Sequence, residues 1–260
     1  MRRIISIINH KGGVGKTCCC VHVGAGLAKS GRKVLLVDLD KQRNLTQSFF
    51  GDSLQNEQGI ADAILNRREI NLSSIARTTT IDGLFVIPAT NSLQGLESSL
   101  FNEIGREYFL KEALSVPFIE QFDYVILDNS PHAGLISVNS LVASEYFLVP
   151  IATEYFSLTG IKSIFETIQK IRRLNPELKN LGLLLSMVDK REGISKDTMK
   201  ILNDNFRMEI FNNFIRINTH FKSCPSQRKT IFDIESASGK GYTDYMNVTQ
   251  EIEQRLQQWH

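Results

Sequence analysis

A glycine-rich loop between a short apolar run and a helix-forming segment is the feature that most constrains the fold of this chain. Residues 4–8 are apolar except for Ser6, and the chain then continues through Asn9 and His10 into Lys11-Gly12-Gly13-Val14-Gly15-Lys16-Thr17. Glycines let a backbone curl so that several N–H groups point inward at phosphate oxygens, and the N-terminus of the next helix adds partial positive charge. The order of strand, loop and helix predicts a phosphate-binding loop in an α/β fold.

Length and composition are those of an ordinary folded protein. The chain has 260 residues, which suits one α/β domain, and we expect that domain to span residues 1–260. The formal net charge is +2, so no global basic field indicates nucleic acid as a partner. Any contact with DNA must therefore come from a local patch.

Short apolar runs alternate with longer amphipathic stretches, a pattern typical of βαβ units. The runs lack strict alternation, as expected of strands covered on both faces. The sequence therefore predicts a doubly wound fold with a mostly parallel central β-sheet flanked by helices. The predicted strands are residues 4–8, 34–37, 84–87, 124–127, 146–150 and 181–187, and the predicted helices are residues 16–29, 60–66, 107–115, 158–173, 196–205 and 242–259. Residues 212–241 are irregular and polar, and they are the least predictable part.

Four cysteines give no sign of a disulfide or of a zinc site. Cys18, Cys19 and Cys20 are consecutive, which disulfide geometry does not suit, and Cys224 stands apart. No Cys-x-x-Cys spacing occurs in the sequence. We interpret the four as reduced thiols of a cytosolic protein. The apolar run at the N-terminus is too short for a signal peptide or a membrane span.

The glycine-rich loop supplies the groups that a complex of magnesium and a triphosphate needs. Lys16 can reach the β- and γ-phosphates, and the Thr17 hydroxyl can bind Mg²⁺. We therefore predict ATP and Mg²⁺ as the ligands. The residues predicted to bind them are Lys11, Gly12, Gly13, Val14, Gly15, Lys16, Thr17 and Cys18.

Aspartates follow two of the predicted strands. Asp38 and Asp40 come after residues 34–37, and Asp128 comes after residues 124–127. The carboxyl ends of parallel strands are where ligand sites form in α/β folds. Of Asp38 and Asp40, one can hold the water shell of Mg²⁺ while the other orients an attacking water. An apolar strand ending in aspartate is the Walker B pattern, which predicts that Asp128 also binds Mg²⁺ through water.

A departure from the ordinary phosphate-loop pattern carries a resemblance to a known family. His10 stands where Gly-x4-Gly-Lys-[Ser/Thr] has its first glycine, and Lys11 is an additional lysine. In this the chain resembles the deviant Walker A family that includes the ParA and Soj partition ATPases, MinD and the nitrogenase iron protein. The resemblance implies that Lys11 crosses a dimer interface to touch the nucleotide of the other subunit. It also implies that Lys11, Lys16 and Asp40 are the catalytic residues.

The switch segment at residues 38–46 resembles the Asp-x-Asp-Pro-Gln-x-Asn pattern of the same family. Gln42 and Asn44 match that pattern, whereas Lys41 replaces the usual proline and Arg43 the usual glycine. We expect a loop that is more flexible and more positive than is normal in the family. In the pattern, the second aspartate is the catalytic one, and Asp38 is then left for the metal.

Two other segments extend the resemblance. Asn129, Ser130 and Pro131 follow Asp128 where the family usually has Thr/Cys-Pro-Pro, so one proline is kept. Residues 149–160 resemble a Pro-x-x-x-Glu-Tyr-x-x-Leu-x-Gly run of the partition ATPases specifically.

Partition ATPases of this family bind DNA without sequence preference, through scattered basic residues. Residues 189–196 resemble a loop in which an arginine contacts DNA, and Arg191 matches that arginine. The second such arginine of the family falls at His220, and Lys222 could substitute for it. Other basic residues of this C-terminal region are Arg216, Arg228, Lys229 and Lys240.

The resemblance implies a bacterial ATPase that is cytoplasmic and associated with the nucleoid. We expect a homodimer when ATP is bound, and we expect that dimer to bind non-specific DNA. A ParB-like protein on a centromere-like site would stimulate the hydrolysis and release the dimer. No stable membrane association is expected.

Three alternatives remain open at this point. A membrane regulator of the MinD kind needs a basic amphipathic C-terminal helix, but on residues 242–259 the polar face is acidic and carries one basic residue, Arg255. An iron–sulfur or electron-transfer protein needs cysteines at the dimer seam, whereas residues 18–20 fall in the first helix. A nucleotide-gated scaffold that barely hydrolyses ATP is disfavoured by Asp40. We expect the C-terminal helix to pack on the domain through Tyr245, Val248, Ile252, Leu256 and Trp259.

Overall fold

A mostly parallel β-sheet forms the centre of the protein. The computed structural model describes residues 3–66, 70–152, 158–189, 204 and 210–258. Within them, seven strands lie in the order β3-β4-β2-β5-β1-β6-β7, and all neighbours are parallel except β3 and β4. The strands are β1 Arg3–Ile7, β2 Val34–Leu39, β3 Arg77–Thr78, β4 Leu84–Ile87, β5 Tyr124–Asn129, β6 Tyr146–Ala152 and β7 Lys179–Ser186.

Helices connect the strands and cover both faces of the sheet. Those of the described residues are α1 Lys16–Lys29, α2 Asn44–Phe50, α3 Ile60–Leu65, α4 Leu72–Ile75, α5 Leu96–Leu100, α6 Phe109–Leu114, α7 Pro117–Glu120, α8 Leu135–Ala143, α9 Leu158–Ile171, α10 His220–Gln227, α11 Ile231–Ile234 and α12 Lys240–Gln257. Two short 3₁₀ helices lie at Asn91–Gln94 and Arg106–Tyr108. None of the described helices is both long enough and apolar enough to span a bilayer.

Alternate residues of the central strands enter different hydrophobic clusters. Val34 and Leu36 of β2 pack in a cluster with residues of α1 and α12, whereas Leu35 and Val37 pack in a cluster with residues of α3 and α6. Because successive side chains of a strand point to opposite faces, the two clusters lie on the two sides of the sheet. The predicted doubly wound α/β fold is therefore confirmed.

Helix α1 lies very close to its neighbours because it carries glycines at its contacts. A Cβ on Gly24 would lie 2.6 Å from Leu36 Cδ2, and a Cβ on Gly26 would lie 2.6 Å from Thr249 Oγ1 of α12. The first contact holds α1 against β2 and the second holds α12 against α1. The predicted stripe of α12 is buried, since Tyr245, Val248, Ile252 and Leu256 are at most 2% exposed, and Trp259 lies outside the described residues.

The site-forming edge of the sheet follows from the strand order. β1 lies between β5 and β6, and β2 lies on the other side of β5. From β1 the chain continues to β2, which lies on one side of β1 in the strand order, whereas β6 lies on the other side. The loop after β1 therefore sits at a topological switch point. The carboxyl ends of β1, β2 and β5 therefore meet at one edge.

Most predicted elements are confirmed, and the differences are local. Each predicted strand is present with ends shifted by a few residues, and α1 has the predicted bounds. The edge strand β3 and the helices α2, α4, α5, α7 and α8 were not predicted. Residues 212–241 were predicted to be irregular, which was wrong where they form α10 and α11. The helix predicted at residues 196–205 lies outside the described residues, apart from Asp204.

Candidate functional site

The loop between β1 and α1 has the curled backbone that its glycines predict. Gly13 and Gly15 have φ angles of 76° and 86°, in the left-handed region that glycine adopts readily. α1 begins directly after Gly15, so its first N–H groups, which have no partner within the helix, face the loop. The Ser186 hydroxyl at the end of β7 donates to the Val14 carbonyl at 2.8 Å and ties the loop to the sheet. The loop can therefore offer backbone donors and a helix N-terminus to an anion.

The two lysines of the loop differ in exposure. Lys16 is 7% exposed, and its Nζ donates to the Lys11 carbonyl at 2.9 Å. Burial lowers the pKa of Lys16, while the carboxylates of Asp128 and Asp40 act in the opposite direction. Lys11 is exposed, and its backbone N–H donates to Asn9 Oδ1 at 3.0 Å. Lys16 thus lies inside the site, whereas Lys11 lies at its exposed mouth.

Asp38 and Asp128 lie side by side at the edge of the sheet. They are register partners of β2 and β5, and both are fully buried. Asp38 Oδ2 accepts from the backbone N–H of Thr46 at 2.8 Å and from its hydroxyl at 2.7 Å, and Oδ1 accepts from the Asp40 N–H at 3.1 Å. Burial raises the pKa of Asp38, and burial together with the Asp38 charge raises that of Asp128.

The residues at this edge fit a magnesium ion. Asp128 Oδ2 is buried without a hydrogen-bond partner in the described part of the chain, and the Thr17 hydroxyl and Cys20 thiol stand close enough to lower the pKa of Asp128. Oxygen ligands and a net negative charge are what Mg²⁺ prefers, with water completing its shell. In the described residues no group of three His, Cys, Asp or Glu side chains converges as a metal site.

Asp40 lies in the switch segment, two residues after Asp38. It is 5% exposed, and its Oδ1 accepts from the Gln42 N–H at 3.0 Å. Arg43, which follows, has a φ of 58° and donates its N–H to the Asp40 carbonyl at 2.8 Å. The family that the switch segment resembles usually has glycine at this position, and glycine suits a left-handed backbone. An arginine adopts that backbone only at a cost in conformational free energy. The expected flexibility of the loop stays a prediction.

A cavity beside the loop was not predicted from the sequence. It has a volume of about 300 Å³, adjoins Gly15 and Cys18, and is mostly apolar. Its other walls include Pro150, Met187, Ile217, Asn218, Phe221 and Tyr245. A nucleotide with its phosphates in the loop would extend its nucleoside toward this cavity, and we call it the nucleoside cavity. Its walls come from five separate parts of the chain, so no local sequence pattern predicts it.

The consecutive cysteines are packing residues. Cys19 and Cys20 are at most 2% exposed, and Cys18 accepts a hydrogen bond from the Tyr245 hydroxyl at 3.3 Å. Burial raises the pKa of all three thiols, that of Cys18 to about 11, so they are protonated at neutral pH. This agrees with the interpretation of these residues as reduced structural thiols.

Asn129, after the Walker B aspartate, ties β5 to β1. It is 1% exposed, and its Nδ2 donates to Ser6 Oγ at 2.9 Å and to the Ile7 carbonyl at 3.0 Å. Ser6 Oγ in turn shares a 2.8 Å hydrogen bond with Ser140 of α8. The residue that replaces the usual threonine or cysteine therefore has a structural role at the base of the site.

Some of the basic residues predicted to contact DNA are already bound to carboxylates. Arg216 forms an ion pair with Asp244, and His220 Nδ1 lies 3.0 Å from Glu235 Oε1. Lys222 is exposed at the rim of the nucleoside cavity. Arg191 lies outside the described residues, as do residues 153–157 of the partition-type run.

Comparison with known proteins gives matches along most of the chain. The family model described as an AAA domain matches residues 2–180. The chain is 37% identical over 257 residues to the chromosome partitioning protein ParA of Myxococcus xanthus, covering 97% of this chain and 88% of that protein. It is 35% identical over 253 residues to the sporulation initiation inhibitor protein Soj of Bacillus subtilis, covering 97% and 98% respectively.

A solved structure agrees over the whole length. Cobyrinic acid a,c-diamide synthase from Mycobacterium smegmatis, with bound ADP and magnesium, gives a TM-score of 0.85 at 29% identity. The superposition covers 100% of this chain and 97% of that one. The same protein with a bound ATP analogue and magnesium also gives a TM-score of 0.85.

Proposed function

Since the chain belongs to the ParA and Soj family of partition ATPases, we propose that it hydrolyses ATP in the partitioning of DNA. The observation that carries the proposal is the meeting of Lys16, Asp38, Asp40 and Asp128 around the β1–α1 loop. ATP and Mg²⁺ are the ligands that this site fits, and ADP or an ATP analogue is bound with magnesium in the similar diamide synthase structures.

The residues of the loop would bind and polarise the triphosphate. Backbone N–H groups of residues 12–17 would surround the phosphates, and the Lys16 ammonium would leave the Lys11 carbonyl to contact the β- and γ-phosphates. Thr17, Asp38 and Asp128 would hold Mg²⁺, which supplies positive charge to the phosphate oxygens. Lys16, Asp38 and Asp128 are buried, which keeps bulk water away and strengthens their interactions with the ligands.

Asp40 is the residue that we assign to the attacking water. Its carboxylate lies near Lys16, and Oδ1 accepts from the Gln42 N–H. A carboxylate has room for further hydrogen bonds, so it can also accept one from water. Orientation of the water is its main contribution. This role distinguishes the protein from a scaffold that binds ATP without turnover.

Dimerisation would complete the site. Lys11 is exposed at the mouth of the loop, where it can reach a nucleotide held by a second copy. A second cation there would stabilise the charge that grows on the phosphate oxygens during hydrolysis. Turnover by the separate subunit is therefore slow, and a ParB-like partner protein would accelerate it.

The ATP-bound dimer would bind DNA without sequence preference, in the bacterial cytoplasm and on the nucleoid. Lys222 is an exposed candidate contact, and Arg191 is retained as a proposal from the resemblance. Arg216 is a poor candidate, because Asp244 already neutralises its guanidinium. Binding through a few phosphate contacts would weaken steeply as salt rises.

A MinD-like membrane function is the alternative that the packing of α12 disfavours. The apolar stripe of that helix is buried against α1 and the sheet, so it is not available to lipid. Arg255, the basic residue of its polar face, is bonded to Glu251 and to the carbonyl of Leu181. A helix that binds anionic membranes needs both groups exposed.

Co-sedimentation separates the two functions. The full chain is mixed with either duplex DNA or anionic phospholipid vesicles, each with MgATP or MgADP. The proposal predicts sedimentation with DNA in MgATP that is lost in MgADP and in high salt, and no sedimentation with vesicles. ATP-dependent binding to vesicles, with none to DNA, would support the alternative and overturn the proposal.

A further inference from the structure

A second cavity of about 280 Å³ lies next to the nucleoside cavity and shares Cys18 and Phe221 with it. Its remaining walls come from α1, from α2, and from α10 and the turn after it. The residues are Thr17, Val21, His22, Asn44, Gln47, Ser48, Cys224, Pro225 and Lys229. We call it the α2–α10 cavity. Its volume is close to the lower end of the range found for small-molecule sites.

A buried hydrogen-bond donor lines this cavity. His22 of α1 is 2% exposed, and its Nδ1 accepts from the Ile231 N–H at 3.3 Å. Because Nδ1 acts as an acceptor, the ring proton is on Nε2. Burial lowers the pKa of His22 to about 3, so the ring is neutral. His22 lines the cavity, so its Nε2–H is the donor that this wall can offer to a ligand.

The charge at the cavity is positive. Lys229 is the one charged side chain on the walls described, and no acidic side chain lines them. The carboxylate that acts on His22 belongs to Asp233, and it already accepts from the Thr230 N–H at 2.7 Å and from the Thr230 hydroxyl at 2.8 Å. An acceptor with a negative charge would therefore find two donors and no competing anion.

The other walls include apolar side chains and side-chain amides. Val21, Phe221 and Pro225 provide apolar surface, and Asn44 and Gln47 of α2 provide amides. A ligand that fits these walls has a charged end and an apolar body. α2 is also the helix whose Thr46 bonds the Asp38 carboxylate, so an occupant would contact the switch segment of the catalytic site.

We propose that the α2–α10 cavity binds a small organic anion, with a carboxylate or phosphate group at Lys229 and His22 and an apolar part against Phe221. The cavity adjoins the nucleotide site, because Thr17, which the proposed function assigns to Mg²⁺, is also on its wall. That a second ligand binds there rests on the proposed function, which assigns the loop and the nucleoside cavity to ATP.

Benzoate and its neutral analogue benzamide test the proposal. Both are titrated into the full chain saturated with MgADP, and binding is followed by calorimetry or by ligand-detected NMR. Benzoate is expected to bind in the millimolar range with ADP present, and benzamide is expected to bind about tenfold more weakly or not at all. Lys229→Gln should weaken benzoate about tenfold, because it removes the charge-assisted contact. Lys111→Gln, at an exposed position of α6 on the other face of the sheet, should leave benzoate binding unchanged.

Three results would overturn the proposal. Benzamide could bind as tightly as benzoate, Lys229→Gln could leave the affinity unchanged, or ADP could abolish benzoate binding and so place the cavity within the nucleotide site. A chain that fails to bind ADP would contradict the proposed function instead. In that case the comparison of benzoate with benzamide, made without nucleotide, still tests the cavity.

Discussion

Asp38 and Asp128 stand opposite each other in the register of β2 and β5, with both carboxylates fully buried. Burial raises the pKa of both groups, and the charge of Asp38 raises that of Asp128 further. Two like charges in such a place are unfavourable unless a cation lies between or beside them. The pair therefore favours a cation at this edge of the sheet, where the Lys16 ammonium already lies near Asp128.

This pair makes the stability of the nucleotide-free protein depend on pH. A carboxyl group whose folded pKa is raised holds its proton longer in the folded state, so stability is full below the ordinary pKa of 3.8 and falls as pH rises through the raised values. Asp128→Asn removes one of the charges. We expect denaturant unfolding to show the variant more stable than the wild type at pH 8, by more than about 1 kcal/mol, with a smaller difference at pH 5. If the free energy of unfolding depended on pH equally in the two proteins, the Asp38–Asp128 pair would not be the cause of that dependence.

Thr46 supports Asp38 through two hydrogen bonds, and its hydroxyl also accepts from the Ala89 N–H at 3.0 Å. Thr46→Val keeps the shape but leaves a carboxylate oxygen and a backbone N–H with one partner fewer. We expect a loss of about 1–3 kcal/mol in the free energy of unfolding. Thr46→Ser keeps the hydroxyl and serves as the matched control, with stability expected near that of the wild type. A valine variant as stable as the serine variant would contradict this account.

Arg43 adopts a left-handed backbone in the switch loop, and its Nη1 is buried without a partner among the residues described. Arg43→Gly relieves the backbone cost, and we expect the melting temperature to rise, corresponding to about 0.5–1 kcal/mol. Arg43→Ala removes the same side chain but keeps the Cβ, so it should gain less. If alanine stabilises as much as glycine, the side chain and not the backbone carries the cost.

The sequence was sufficient for the six parallel strands and for the phosphate loop, because local patterns determine both. Apolar runs mark buried strands wherever both faces are covered, and the glycines at 13 and 15 are needed by the left-handed backbone there. Helix α2 was not predicted because four of its seven residues are polar and because its N-cap residue, Arg43, is not of a type that usually caps helices. Its position depends on the tertiary bond from Thr46 to Asp38.

Side-chain partners could not be predicted from the sequence, since they are far apart along the chain. Arg216 was counted among basic residues of the C-terminal region, yet Asp244 of α12 binds it in the folded protein. The nucleoside cavity likewise joins Pro150, Met187 and Phe221 through the packing of separate segments. A parallel β-bridge between Val188 and Arg216 holds two of these segments together.

Lys11 is expected to act between subunits and not within one. Lys11→Ala should leave the affinity for ATP within about threefold, since Lys16 and the loop backbone remain, but should abolish ATP-dependent dimerisation. Analytical ultracentrifugation with a non-hydrolysable ATP analogue measures this directly. Lys41→Ala, at an exposed lysine of the neighbouring switch loop, is the control and should still dimerise. Dimerisation of the Lys11 variant at the wild-type concentration would refute the role.

The most direct test of the central claim compares ATP affinity with ATP turnover in Asp40→Ala. The carboxylate of Asp40 is held at the site by the Gln42 N–H and is assigned to the attacking water, not to nucleotide binding. The account predicts an ATP dissociation constant within about threefold of the wild type and a hydrolysis rate, measured on bound nucleotide, that is lower by about 100-fold or more. A variant that binds ATP and hydrolyses it at the wild-type rate would contradict the account.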